Sequence, residues 1–563
     1  MLALGVSVGY PLPAQTPPQR VACAGQVISR VVIVPLAPLE KSNQPLYEAP
    51  VRVLNSTHSV TQPAVVQAFV QLKAGDRCDE FRRRESERVL RVQPFIASAE
   101  IAVYADDDGK VYLVVTTRDE FTFIFATRLS GRSPYVTALT VGDADLQGRG
   151  VSFAANWTHT DTREGFGAAF TDYSFMNQPM VAQLAASRGD VGVSSFAGEL
   201  SHPFYSDAQH GAWRVAGMDA NLLYGFQQAD TTPFDVAERR EFAAAGGALR
   251  VGRPGGPVFL IGAGASTEYD ATGFPATGYD STVPYDSLFV RYAPRRSVRV
   301  NLIGQLRAIR YRRGVRLGTL NGVQDLKLGA ELSGILGHGF SGIDGSSGDT
   351  FGMGLFFLGL GGARTYSYLQ AIMEARRGDV NGEWSDAIGS ARLILYQRIG
   401  DTQTLVADAE FGGGWLTTRP FELDIGQPEG GVRGFGSSHV AGGQRAALKL
   451  EERWFIGSLG KEADLGLAAF VDAGRTWAGD VPYGVSSPLK VGVGAGFLLA
   501  TPTGSRRTYR ADIAIPVTAD QYARWELRVT VINIAELGAR REPLDVTGGR
   551  ELITTATTFT FPR

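Results

Sequence analysis

The stretch Leu489-Lys490-Val491-Gly492-Val493-Gly494-Ala495-Gly496-Phe497-Leu498-Leu499 alternates at period two. Leu489, Val491, Val493, Ala495, Phe497 and Leu499 fall on one side of an extended chain, and Lys490, Gly492, Gly494 and Gly496 on the other. Successive side chains of a strand point to opposite faces, so the segment is a strand with one apolar face and one small or charged face. Its length matches the ~9–11 residues that a tilted strand needs to cross a bilayer. The pattern recurs nearby, where Tyr509, Ala511, Ile513, Ile515 and Val517 oppose Arg510, Asp512, Ala514 and Pro516. It recurs again where Trp525, Leu527, Val529 and Val531 oppose Glu526, Arg528 and Thr530, and far upstream where Val298, Val300, Leu302, Leu306 and Ala308 interleave with Arg299, Asn301, Gln305 and Arg307.

Such segments, separated by turn residues, fill the chain from about residue 120 to 534, and helical periodicity is almost absent there. A soluble β-sandwich also alternates, but a sandwich of this length without a domain break would be unusual. About 16 strands with their loops fill it naturally as a barrel. Lipid forbids open sheet edges, so the sheet must close. Composition agrees, with 69 Gly, 30 Phe, 19 Tyr and 7 Trp in 563 residues. No run of about 18 apolar residues exists to make a spanning helix. The net charge of −2 gives no electrostatic reason to expect nucleic acid as a partner. The expected fold is therefore an all-β transmembrane barrel of about 16 antiparallel strands.

Residues 21–119 read differently, as a small α/β unit of order β-α-α-β-β. Val27–Val34 is a β-branched run broken by Pro35, Pro38 and Pro45. Val60–Leu72 can form a helix, and a second begins after Gly75-Asp76, with Asp76 as the expected cap and Asp79 and Glu80 in the first turn, and runs to about Arg91. Strands at Ala97–Ala105 and Lys110–Thr117 are joined by the turn Asp106-Asp107-Asp108-Gly109. The only two cysteines, Cys23 and Cys78, fall in this unit; they are either independent thiols or, in an oxidising compartment, a bridge. Residues 1–20 read as the remnant of a secretion leader, apolar over Leu2–Val8 and ending in Pro11-Leu12-Pro13-Ala14. No Lys or Arg precedes the apolar run, so the true start is expected upstream.

One constellation stands out from the alternation. Gly430-Gly431-Val432-Arg433-Gly434-Phe435-Gly436 lies between two strands. The next strand, Ala446–Phe455, sets Lys449, Glu451 and Arg453 on one face, and the strand after it ends Phe470-Val471-Asp472-Ala473-Gly474. In order and type these residues resemble the BamA/TamA superfamily, or bacterial surface antigen family, of outer-membrane barrels. The resemblance implies that Arg433-Gly434-Phe435 is the tip of a loop folded into the barrel, with Gly431 and Val432 in its approach. It implies that Arg433 pairs with Asp472 on the inner wall and with Glu451 on the preceding strand, a structural lock. Val141-Gly142-Asp143-Ala144-Asp145-Leu146-Gln147-Gly148-Arg149-Gly150 is similar to the family's early Asp-Asn-Leu-x-Gly-x-Gly turn, and Ala144-Asp145 depart from it. The α/β unit resembles a polypeptide-transport-associated (POTRA) domain, its Glu85-x-x-x-Val89-Leu90-Arg91-x-x-Pro94-Phe95 fitting well.

The resemblance further implies a bacterial outer-membrane location with the POTRA-like domain in the periplasm. It implies insertion or translocation of unfolded or extended client polypeptides, outer-membrane lipid around the barrel, and periplasmic chaperones or accessory proteins as further partners. No cofactor is implied. Rival readings are a two-partner-type pore secreting one exoprotein and a passive or structural channel. Enzymatic motifs are absent: there is no His-Glu-x-x-His, phosphate loop, Gly-x-Ser-x-Gly elbow or Cys/His cluster for a metal. His338 near Ser341 invites comparison with a hydrolase, but it sits in a polar, Gly-rich stretch. The expectation is a non-enzyme without catalytic residues. Counting from the loop motif makes Ala446–Phe455 the twelfth strand and Arg524–Asn533 the sixteenth and last. A tail, 535–563, is left over, closing in Phe559-Thr560-Phe561-Pro562-Arg563; it is either an added segment or a sign that the strand count is off by one.

Overall fold

The computed structural model describes residues 19–39, 58–131, 133, 135–159, 163–190, 192–227, 234–275, 283, 285–346, 348–379 and 382–555. The small N-terminal unit consists of β1 (Ile28–Leu36), α1 (Pro63–Phe69), α2 (Glu80–Val92), β2 (Ile96–Ala105) and β3 (Val111–Asp119), in β-α-α-β-β order. Its sheet runs β1-β3-β2, with β1 parallel and β2 antiparallel to β3. The helices cover one face, burying Val65, Val66, Phe69, Val89 and Leu90 against Ile28, Ile101, Val103, Leu113 and Val115. Asp79, not Asp76, caps α2, its carboxylate accepting from the Arg82 amide at 2.8 Å. Asp76 instead closes the preceding turn by accepting from the Lys73 amide. Cys23 and Cys78 are joined in a disulfide.

The rest of the described chain is a closed antiparallel barrel. Six short strands lead it: β4 (Phe123–Ser130), β5 (Val136–Asp143), β6 (Val151–His159), β7 (Glu164–Asp172), β8 (Val181–Gly189) and β9 (Ser194–His202). Longer strands follow: β10 (Gly211–Phe226), β11 (Phe234–Val251), β12 (Val258–Gly273), β13 (Arg295–Val315), β14 (Val323–Gly339), β15 (Asp349–Gly361), β16 (Thr365–Gly378), β17 (Trp384–Ile399) and β18 (Gln403–Trp415). A long loop carrying the two-residue pair β19 (Leu423–Asp424) and β20 (Ala441–Gly442) leads to β21 (Gln444–Leu459), β22 (Ala463–Trp477), β23 (Lys490–Ala500), β24 (Arg507–Pro516) and β25 (Glu526–Asn533). β25 pairs with β4 and closes the sheet. Leu302, Leu306, Leu467, Val471, Phe497, Ile513 and Ile515 face outward, whereas Arg299, Asn301, Gln305, Lys490, Arg510 and Asp512 are buried inside. A closed sheet with an apolar exterior and a polar interior is the spanning form that lipid permits.

The barrel has 20 strands among the described residues, not about 16. Gln444–Leu459, which contains the expected twelfth strand, is the sixteenth barrel strand, and Glu526–Asn533 is the twentieth. The shortfall has a physical cause. In β11 the run Ala243-Ala244-Ala245-Gly246-Gly247 pairs with Ala263–Thr267 of β12, and Ala248 with Gly262. A Cβ on Gly262 would lie 2.3 Å from the Gly247 carbonyl oxygen. Small residues here let neighbouring strands approach, and they carry no large apolar face for a period-two count to register. The expected leader lies outside the described residues except for Gln19 and Arg20, where Arg20 bridges to Tyr104 at the edge of β2. Residues 535–555 lie inside the barrel, β26 (Glu536–Leu537) running parallel to the start of β14.

The small unit closes over the barrel end at which β4 begins, here the near end. Arg91 of α2 pairs with Asp325 at 2.8 Å, Arg313 with Glu87 at 3.0 Å, and the Arg506 amide donates to Glu120 at 3.0 Å. The turn between β5 and β6 packs into this joint. Gly148 and Gly150 take positive φ of 67° and 68°, and a Cβ at Gly148 would lie 2.1 Å from the Val60 carbonyl. Only glycine allows that approach. Asp145 accepts from the Thr61 hydroxyl at 2.8 Å and the Gly150 amide at 2.6 Å; Asp119, bonded to His58 at 3.0 Å and to the Thr61 amide at 2.7 Å, stands beside it. Burial, with Asp119 adding to it, pushes the Asp145 carboxyl up to about 7.

A carboxyl raised in the folded state favours the protonated joint. Its contribution is present in full below the ordinary carboxylate range and is lost as pH rises through about 7. Hydrogen exchange of the Thr61–Phe69 amides should therefore quicken, relative to an exposed reference amide, between pH 5 and pH 8. Asp145→Asn keeps an acceptor and should abolish most of that difference. An unchanged pH response in the variant would remove Asp145 as its source.

Candidate functional site

The loop between β18 and β21 turns back into the barrel. β19 and β20 pair at its base, the Val432 amide donates to the Ile425 carbonyl at 2.7 Å, and the Gly431 amide to the Gln427 carbonyl at 3.1 Å. Ile425, Val432 and Phe435 are fully buried and pack together with Ala523. Gly434 holds φ at +91°, which a side chain at that position would resist. The wall is cut back to receive the tip: a Cβ on Gly474 would lie 2.8 Å from Val432, and one on Gly492 would lie 2.1 Å from the Arg433 carbonyl oxygen.

This geometry carries Arg433 into a corner of carboxylates. Its Nε and Nη2 donate to the two oxygens of Asp472 at 2.7 and 2.8 Å, and its backbone amide reaches the same carboxylate at 3.2 Å. Nη1 donates to Glu451 at 3.2 Å and Asp512 at 3.4 Å, and the guanidinium lies over the Phe470 ring. Asp472 has no exposed surface. Glu451 is held in turn by both terminal nitrogens of Arg510, at 2.7 and 2.6 Å, and by Arg453 at 2.5 Å. Arg433, Arg453 and Arg510 thus interleave with Glu451, Asp472 and Asp512, and each charge has an opposite neighbour. A planar guanidinium bound through two parallel hydrogen bonds fixes orientation as well as position.

The structure brings together Arg433, Glu451 and Asp472, with Gly431, Val432, Gly434 and Phe435 forming the tip. Lys449, on the same face as Glu451, turns to Glu410 at 3.9 Å. Sequence reading passed over three residues. Arg510 and Asp512 were legible as inward-facing, but their distance of some sixty residues or more from Glu451 and Arg433 hid the pairing. Glu526, first residue of the last strand, accepts from the Gly434 amide at 3.2 Å and from Arg528 at 2.7 and 2.8 Å, and faces Arg128 of β4 at 3.5 Å. The loop tip therefore touches the seam. That seam is the shortest ladder of the barrel wall among the described residues: Glu526–Val529 pair with Thr127–Ser130, and the ladder does not extend beyond these four positions. Near its lower end, Arg507 and Tyr509 donate to the Thr122 and Phe123 carbonyls at 3.1 and 2.7 Å. Two cavities border the tail, one of about 350 Å³ and one beside the seam of about 460 Å³, the latter bordered by Arg128, Arg433, Glu451, Arg528 and Thr530.

His338 points outward beside Phe340 on the apolar side of β14, away from the lumen. Among the described residues no group of His, Cys, Asp and Glu has the arrangement of a metal site.

Solved structures similar to this chain include BamA from Haemophilus ducreyi lacking POTRA domains 1–3, at 11% identity and a TM-score of 0.38, covering 90% of this chain and 85% of that one. CdiB from Escherichia coli aligns at 11% identity and 0.39, over 90% and 76%. CdiB from Acinetobacter baumannii aligns at 11% and 0.40, over 90% and 73%. No protein-family model and no curated protein matches the sequence. Superpositions this loose give no ground for assigning function.

Replacing Arg433 by Ala should lower stability by ~3–5 kcal/mol, because it strands buried Asp472. In an Asp472→Ala background the same change should cost much less, since the two share one interaction. Urea unfolding in detergent micelles reads both values. Equal costs in the two backgrounds would show that the pair does not hold the loop.

Proposed function

We propose that this chain is an outer-membrane barrel of the BamA/TamA kind that inserts or translocates extended polypeptides. The observation that carries the reading is the loop tip seated on Asp472 and Glu451 and joined through Glu526 to the shortest ladder of the barrel wall. A passive channel has no need of a short seam under the control of an inward loop. The small unit is a POTRA-like domain on the periplasmic side. It receives a client by strand addition at its sheet edge. Edge strand β1, with Val32, Val34 and Leu36 partly exposed, supports this; the opposite edge, on β2, is met by residues 19–21. The client then passes to the seam between β4 and β25, which opens sideways. Arg433 serves as a structural lock in this scheme, and no catalytic residue is required.

Secretion of a single exoprotein through the pore remains the second reading. The long lumen lined by charged side chains, wide enough to hold an extended segment, favours it. A crosslinked seam separates the two. Thr127 and Val529 sit opposite each other, so Thr127→Cys with Val529→Cys should bond across the seam under oxidation. Insertion of other barrels, followed by outer-membrane proteomics after depletion of the wild-type copy, should then fail and recover on reduction. Loss of one surface protein, unaffected by the crosslink, would replace insertion by secretion. No change in any protein would overturn both.

A further inference from the structure

The last strand is not the end of the described chain. From Asn533 the backbone turns inward at the near end, where the Asp325 amide donates to the Ala535 carbonyl at 3.1 Å, Gln324 to the Ile534 carbonyl at 2.8 Å and Tyr366 to the Leu537 carbonyl at 2.9 Å. It climbs the lumen past Gln370 and Ser390 to the short helix Leu544–Gly549, where Asp545 pairs with Arg445 at the start of β21. A second short helix, Leu552–Thr555, follows. The segment thus spans the lumen from one end to the other.

The barrel wall is built to hold it. Arg550, with no exposed surface, donates to the Ile388 and Ile372 carbonyls of the wall at 3.0 and 3.2 Å and pairs with Glu374 of β16 at 3.3 Å, while Glu542 of the tail itself braces it at 2.6 Å. Its neighbour Glu551, 1% exposed, meets Arg295 at 3.0 Å, Arg419 at 3.2 Å and Arg299 at 3.3 Å. Arg419 and Arg240 also donate to the Arg550 carbonyl, at 2.6 and 3.1 Å. Groups from four strands, β11, β13, β16 and β17, and from the long loop converge on two consecutive residues. The tail's apolar side chains find matching ground. Leu537 and Ile553 pack on a lumen patch that includes Phe357, Tyr366 and Ile372, and Val546, fully buried, lies among Ile388, Phe421 and Leu423. An apolar patch facing a water-filled lumen would be costly, and this one has an occupant.

The same contacts permit departure. Arg299 keeps Asp349, Arg295 keeps Asp270 and Asp386, and Arg419 keeps Asp270 when Glu551 leaves. Water entering the lumen would hydrate the remainder. We propose that the lumen is a binding site for the chain's own C-terminal segment, residues 534–555, and that this segment is a removable plug latched by Arg550 and Glu551. The proposal does not depend on what the barrel transports, because ion flow alone tests it.

The test is conductance in planar bilayers. The full chain should conduct weakly, and a chain ending at Asn533 should conduct several-fold more. A synthetic peptide of residues 534–555 added to the shortened barrel should restore the low state, and the same peptide with Arg550→Ala and Glu551→Ala should not. Equal conductance of full and shortened barrels, both heat-modifiable in gels and hence folded, would overturn the plug; closure by the substituted peptide would overturn the latch. Should the shortened chain fail to fold, Thr554→Cys in the full chain decides. Both native cysteines are bonded, so a water-soluble maleimide reads only the new thiol. It should label slowly with Arg550 and Glu551 in place and rapidly in the double variant; equal rates would reject the proposal.

Discussion

Every backbone N–H and C=O of a sheet immersed in hydrocarbon needs a partner within the sheet, and the pairing of β25 with β4 supplies that condition for the whole barrel. It does so with the shortest ladder of the wall among the described residues. The structure compensates on the inside of the seam, where Glu526 gathers Arg128, Arg528 and the Gly434 amide, and at its lower end, where side chains of β24 take up carbonyls of the chain entering β4. These contacts are charge-assisted or involve exposed backbone, so they hold the closed form while remaining exchangeable for water or for another strand.

Inside the barrel the governing constraint is charge pairing. A desolvated arginine or carboxylate without a partner is expensive, so inward-facing strands place opposite charges within reach of each other. The long loop and the C-terminal segment enter under the same rule. The loop brings one cation to a corner where Glu451, Asp472 and Asp512 meet. The tail brings a cation and an anion in sequence, and meets carboxylates with the first and arginines with the second. Both insertions are also anchored by buried apolar residues, Val432 and Phe435 in one case and Val546 in the other. Charge sets their register and burial supplies much of their adhesion.

Much of this was legible in the sequence. Alternation at Leu489–Leu499 assigns the inward and outward faces that the structure displays, and the β-α-α-β-β order of the small unit follows from its turn and capping residues. What alternation misses is a strand without an apolar face, such as the Ala-Gly stretches of β11 and β12, and hence the strand number. Motif spacing places Arg433, Glu451 and Asp472 because the resemblance links them. It is blind to Arg510, Asp512 and Glu526, whose partners are set by barrel register across many intervening residues. The tail stood out only as a stretch left over after the last strand, with nothing to place it. Arg550 and Glu551 look like any charged pair until strands from around the barrel are seen to converge on them.

The two insertions occupy different parts of the wall. Arg433 takes its partners from β21, β22 and β24, near the seam, whereas Arg550 and Glu551 take theirs from β11, β13, β16, β17 and the outer part of the long loop. They meet at Arg445, which donates to the Asp424 carbonyl in the loop and pairs with Asp545 in the tail, and at Gly430, where a Cβ would strike Pro543 at 2.5 Å. Departure of the tail would remove one partner of Arg445 and leave its bond to the loop. None of the carboxylates that hold Arg433 belongs to the tail. In the proposed scheme the tail can leave while the loop stays seated at the seam, so that clearing the lumen and opening the wall would be separable events in one barrel.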